Sequence, residues 1–161
     1  MKYKLINKTK YPTDVLKSLI EFSAPKGIKK VTVIMMYDNN GAAWRANADT
    51  FKKNKIIRVW IQKNINRKTG FFPKFSNSKA AEKAGYKPTF LLRNEYEVIV
   101  ALIAHELRHI WQNNVSKQNF LRTKLVRYND WHGPDSCLYK MERDSCQYAK
   151  KILNKYRKVI R

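Results

Sequence analysis

Five consecutive residues carry the chemistry legible in this chain: His105-Glu106-Leu107-Arg108-His109. On a helix, residues four apart lie on one face, a single turn from each other. Two imidazoles in that register can grip one metal ion. The glutamate beside the first of them projects in a neighbouring direction, close enough to hold a water without itself occupying the metal. Zinc lowers the pKa of a coordinated water towards neutrality, and Glu106 can take its proton. The chain holds only three histidines, and two of them stand here. Both sit in a mostly apolar stretch, where an imidazole and a carboxylate are costly to bury without a partner.

A catalytic zinc needs a third protein ligand and one open position. Two candidates lie downstream. Glu142 stands in Met141-Glu142-Arg143-Asp144-Ser145-Cys146-Gln147-Tyr148-Ala149. As a helix this segment buries Met141, Ser145, Tyr148, Ala149, Ile152 and Tyr156, with Glu142 beside the stripe together with Cys146 and Leu153. A carboxylate there calls for a partner, and a metal would be one. The second candidate is His132, between Trp131 and Gly133. It could ligate the metal, or it could act in catalysis by stabilising an oxyanion. Glu142 is taken as the ligand and His132 as the catalytic donor, with His132 remaining the rival ligand. The extended pattern HExxHxxGxxH is absent, because Gln112 and Val115 fill its glycine and histidine positions. Asp144 is a candidate acceptor for the outer nitrogen of a ligand imidazole. Tyr128, Tyr139 and Tyr148 are candidate donors to an oxyanion, none favoured over the others.

These segments must be positioned by a fold. Asn94 and Glu97 form a capping-box pattern that opens a helix reaching Asn113 or Asn114. Val98, Ile99, Val100, Leu102, Ile103, Leu107 and Ile110 make it apolar nearly all round, as a central helix is. Tyr11–Phe22 reads as a helix capped by Thr13 and stopped by Pro25 and Gly27. Lys30–Tyr37 is a β-branched run suited to a buried strand. Asp38–Gly41 reads as a turn, and Ala43–Ala48 as a short strand. Ile56–Gln62 alternates, with Ile57, Val59 and Ile61 on one side, which suits a half-exposed strand at an edge. Between Asn64 and Arg93 the pattern is irregular, with a short helix at Ser78–Ala84 and with Phe71, Phe72 and Phe75 tucking a loop onto the core. A last helix starts at Pro134-Asp135-Ser136 and runs to about Tyr156. The sum is one α+β domain over residues 1–161, a small mixed or antiparallel sheet packed on three helices.

Composition sets the outer bounds. The chain has 161 residues, 43% of them hydrophobic, enough to bury a core without disulfides. Its two cysteines, Cys137 and Cys146, read as reduced. No apolar run is long enough for a membrane span, and the first residues lack a signal-peptide pattern, so a cytoplasmic location is expected. The net charge of +22 would attract phosphate polymers. Lysines spread along the chain, however, also accord with AT-rich coding. Nucleic-acid contact through a basic surface is therefore one expectation beside a peptide or protein substrate.

In these motifs the chain resembles minimal gluzincin-type metallopeptidases. Glu142-Arg143-Asp144-Ser145-Cys146-Gln147-Tyr148-Ala149 is similar to the E-x-x-A-x-x-[FY]-A segment of the ImmA/IrrE-like peptidases, with Ser145 in place of the usual alanine. The resemblance implies a zincin-like fold, bound Zn2+, hydrolysis of peptide bonds, and Ile56–Gln62 as the edge strand that pairs with an extended substrate. Larger gluzincins carry an acid four residues beyond the glutamate ligand, where this chain has Cys146. SprT-like proteases use a third histidine instead, a role open to His132. The alternative is a basic, nucleic-acid-associated or structural protein that retains a peptidase-like fold.

Overall fold

The structure is a computed structural model, and it describes residues 1–38, 45–49, 55–61, 69–71, 90–114 and 137–160. In chain order these give β1 (Lys2–Lys8), α1 (Thr13–Ser23), β2 (Lys30–Tyr37), β3 (Arg45–Asp49), β4 (Ile56–Ile61), β5 (Thr69–Phe71), β6 (Phe90–Leu92), α2 (Glu95–Asn114) and α3 (Cys137–Val159). The architecture is α+β. A four-stranded mixed sheet has the order β1-β2-β4-β3. β1, β2 and β4 run parallel to one another, and β3 lies antiparallel along β4. β5 and β6 form a separate antiparallel pair.

Period-two patterning explains how the sheet meets the helices. Val31, Val33 and Met35 of β2 and Ile57, Val59 and Ile61 of β4 are all but fully buried. They face Leu16, Leu19 and Ile20 of α1 and the whole middle of α2. Each such aliphatic side chain, taken fully out of water, contributes about 1.5–3 kcal/mol. The intervening residues Thr32, Ile34, Met36, Ile56, Arg58 and Trp60 are half-exposed.

Several expectations change here. Ile56–Ile61 is an interior strand flanked by β2 and β3, and the edges are β1 and β3. Its alternation records one covered face, which an interior strand of a one-sided sheet shows as clearly as an edge strand. Lys2–Lys8, to which the sequence reading gave no structure, is the strand beside β2. The short strand expected at Ala43–Ala48 is found at Arg45–Asp49. Thr13 does not cap α1. Pro12 takes the cap position with no side-chain hydrogen bond, and Thr13 is the first helical residue. After α1, Ala24 turns extended ahead of Pro25, and Gly27 reverses the chain at φ 98°, a conformation that suits a residue without a Cβ. The turn at 39–41, the helix at Ser78–Ala84 and the placement of Phe72 and Phe75 lie outside the described residues, as do the Phe71 side chain and the start of the last helix at 134–136.

α2 begins as its sequence predicts. The Glu97 backbone N–H donates to Asn94 Oδ1 at 2.9 Å. The reciprocal arm differs from a simple capping box, because the Glu97 carboxylate accepts from the Arg93 N–H at 2.8 Å and from Arg157 at 2.8 and 2.5 Å. Arg157 stands near the end of α3, so this ion pair ties the last turns of α3 to the first turn of α2. The two helices therefore run antiparallel.

Candidate metal centre

α2 is buried along ten successive residues from Val98 to Leu107, sandwiched between the sheet and α3. His105 and Glu106 are each only 7% exposed, on a helix that packs against β3 and β4. The helical spacing brings the imidazoles together. His105 Nε2 and His109 Nε2 lie 3.0 Å apart, with the rings edge-on at 81°.

The outer nitrogens of both rings meet α3. His109 Nδ1 lies 3.0 Å from Gln112 Oε1 and 3.2 Å from Ser145 Oγ. His105 Nδ1 lies 3.6 Å from Cys146 Sγ. Asp144 sits one link further out. It accepts from Gln112 Nε2 at 2.7 Å, from Arg108 Nε at 2.7 Å and from Arg108 Nη2 at 3.1 Å. Burial alone would raise the Asp144 carboxyl, but hydrogen bonds from Arg108 and Gln112 outweigh it and hold the group below its ordinary value.

This chain of contacts fixes a tautomer. An ionised Asp144 only accepts, so the group that Gln112 turns towards it must be the amide NH2. The Gln112 carbonyl oxygen then faces His109, and His109 Nδ1 carries the proton. In the neutral ring, His109 Nε2 then has a lone pair directed at His105. For His105 two arrangements satisfy the contacts. Either Nε2–H donates to His109, or Nδ1–H points at the Cys146 sulfur and two lone pairs converge. The second is repulsive unless a cation lies between them. Bonds of 2.0–2.1 Å at the tetrahedral angle put two zinc-bound nitrogens about 3.3 Å apart, so the observed spacing needs an opening of only a few tenths of an ångström. The donor set fits a metal ion of this class.

The sequence-derived ligands divide as follows. His105 and His109 converge, and Glu106 is buried at the adjacent position on the same helix. Glu142 lies on α3, one turn before Ser145 and Cys146, but its side chain is outside the described residues, as are those of Met141 and Tyr139. His132 and Tyr128 fall wholly outside them. Among the described residues, no set of three or more His, Cys, Asp or Glu gathers around one point. Asp144 reaches the imidazole through Gln112 and not directly. The Tyr148 hydroxyl donates to the Ser23 carbonyl at 3.2 Å, a tie between α3 and the end of α1. The buried face of α3 is centred on Ser145, Cys146, Ala149 and Leu153, rotated towards residues that the sequence reading set beside the stripe.

Sequence reasoning gave Gln112 and Arg108 no role. Gln112 is fully buried and stands one turn beyond His109 on the same face. An amide at that spacing in an apolar helix was the available signal. Arg108, a spacer within the five-residue motif, lies 3.9 Å over the Trp111 ring and 5.3 Å from that of Tyr148 while it holds Asp144. Cys146 stands four residues beyond Glu142, and its sulfur meets the outer nitrogen of His105. Comparison with protein-family models, with curated proteins and with solved structures returns no match.

Proposed function

We propose that this chain is a zinc-dependent metallopeptidase with a zincin-like fold, in which His105, His109 and Glu142 hold Zn2+ and Glu106 is the general base. One observation carries the reading: two imidazole Nε2 atoms converge at 3.0 Å while Ser145 and Cys146 of α3 meet the outer nitrogen of each. Such outer contacts orient metal-binding histidines and raise their basicity. Bound zinc supplies a Lewis acid that polarises the scissile carbonyl and acidifies water. Glu106 takes the proton from the attacking water and returns it to the leaving amine. His132 donates to the developing oxyanion. The substrate is a peptide or protein. The reading also places the protein in the cytoplasm, in accord with the reduced, buried Cys146 thiol. Among the described residues no helix is long and apolar enough to cross a membrane.

The test is metal content and hydrolysis measured together. Purified protein should carry about one equivalent of zinc, and Glu106→Gln should keep the metal while losing cleavage of a mixed peptide library. Undiminished cleavage by Glu106→Gln would remove the mechanism, and absence of zinc binding would remove the metal centre. A second reading, a basic nucleic-acid-associated protein on a peptidase-like fold, is supported by the +22 charge. Zinc retention with no hydrolysis by the wild type would favour it.

A further inference from the structure

The second face of the four-stranded sheet, the one turned away from α1 and α2, has a composition of its own. Strand register assigns its rows. Lys2, Lys4, Ile6 and Lys8 of β1 stand beside Lys30, Thr32, Ile34 and Met36 of β2, and these beside Ile56, Arg58 and Trp60 of β4. The four lysines are exposed, and the remaining side chains are half-exposed. Among the described residues, none of the apolar ones belongs to the core or packs against it. Across these three strands the face holds five cations and no acid. In β3 the same rows contain Arg45 and Asp49, one of each sign.

Two features need an explanation beyond folding. Lys2 and Lys30 are direct partners in the β1–β2 register, so like charges sit side by side, which costs stability. Ile34, Met36 and Trp60 stay partly in water on the two inner strands, where a sheet interacting only with solvent would carry polar residues. Cations bordering a flat apolar and aromatic platform are complementary to a single-stranded nucleic acid. Lysines neutralise phosphates along the strand, and unstacked bases lie on the platform.

We propose that this sheet face binds single-stranded nucleic acid, with Lys2, Lys4, Lys8, Lys30 and Arg58 on phosphates and with Trp60, Ile34 and Met36 beneath the bases. The face lies on the opposite side of the sheet from His105 and His109, so it operates independently of the metallopeptidase reading. Duplex DNA fits less well, since its bases are stacked inside and only the phosphates could be met.

The experiment uses the full chain and a fluorescein-labelled 20-nucleotide oligothymidine, with binding read by anisotropy from 50 to 200 mM KCl. Three to five neutralised phosphates give a log–log salt slope of about −2 to −3.5. Lys4→Glu/Lys30→Glu should weaken binding more than about tenfold and flatten the slope by about 1.4. Lys151→Glu/Lys155→Glu, an equal charge change on exposed residues of α3, should cost less than about threefold, because salt screens charges beyond about 10 Å. Trp60→Ala should weaken binding at least about fivefold with no change in slope, the mark of a lost stacking surface. His105→Ala should bind as the wild type does.

Equal losses from the two charge pairs would reduce the effect to general attraction and overturn the proposal. So would absence of oligothymidine binding. Equal affinity for polyglutamate, or binding only to phosphatidylserine vesicles through the same lysines, would identify another anionic partner and overturn it too.

Discussion

Gln112→Met tests whether the outer contact on His109 sets metal affinity. The substitution keeps the volume of a fully buried side chain and removes two polar contacts. One is the acceptor 3.0 Å from His109 Nδ1, and the other is the donor 2.7 Å from Asp144. Asp144 keeps its two-point pairing with Arg108, so the carboxylate is not stranded. Ser145 Oγ remains 3.2 Å from His109 Nδ1 and holds the tautomer less firmly. Loss of an outer hydrogen bond lowers metal affinity by about 10–100-fold, and the surviving hydroxyl places this variant near tenfold, or about 1.4 kcal/mol. Adding Ser145→Ala removes that support as well and should bring the loss to about a hundredfold. Competition for zinc against a chromophoric chelator at pH 7 measures both, with circular dichroism as the check on folding. A folded Gln112→Met protein that binds zinc within about twofold of the wild type would refute the tautomer argument.

Three further outcomes are expected. Arg157→Met leaves the Glu97 carboxylate buried beside the Arg93 N–H, and should cost about 3 kcal/mol at pH 7, lowering the midpoint of thermal unfolding by about 6–12 °C. Burial pushes the Glu97 carboxyl up, but Arg157 and Arg93 outweigh it, so its folded value lies below the ordinary 4.5. The stability that this pairing contributes is thus complete above pH 4.5 and lost as pH falls through the folded value. The gap between variant and wild type should therefore narrow in urea titrations at acid pH, and a gap that widens there would contradict the sign. Asn94→Ala removes the 2.9 Å cap of α2 and should cost about 1 kcal/mol by the same titration. Zinc content of Glu142→Ala and His132→Ala identifies the third ligand, since the true ligand's variant should lose most of its metal while the other retains it.

The histidine pair was legible because helix periodicity is rigid. Once Val98–Ile110 reads as a helix, residues 105 and 109 must share a face, and the structure shows their nitrogens meeting. The capping of α2 by Asn94 was legible for the same local reason. Strand order was not. Ile56–Ile61 alternates because one face is covered, and nothing in a single strand reports whether a neighbour lies on each side. β1 was missed because Lys2, Lys4 and Lys8 dilute its apolar signal, and its partner β2 comes after an intervening helix. The contacts from Ser145 and Cys146 depend on how α3 docks across a sequence gap of more than thirty residues, which local pattern does not encode, whereas Gln112 reaches His109 within α2.

The outer nitrogens of both histidines are met by residues of α3, the final element in chain order. α2 thus carries both imidazoles and Gln112, whereas Ser145, Cys146 and the Asp144 that turns the Gln112 amide all come from α3. Docking of α3, secured at one end by Arg108 on Asp144 and at the other by Arg157 on Glu97, completes the arrangement. The geometry of the site is thus shared between two helices far apart in the chain, so a chain cut before α3 would keep the histidine motif and Gln112 but lose Asp144, Ser145 and Cys146.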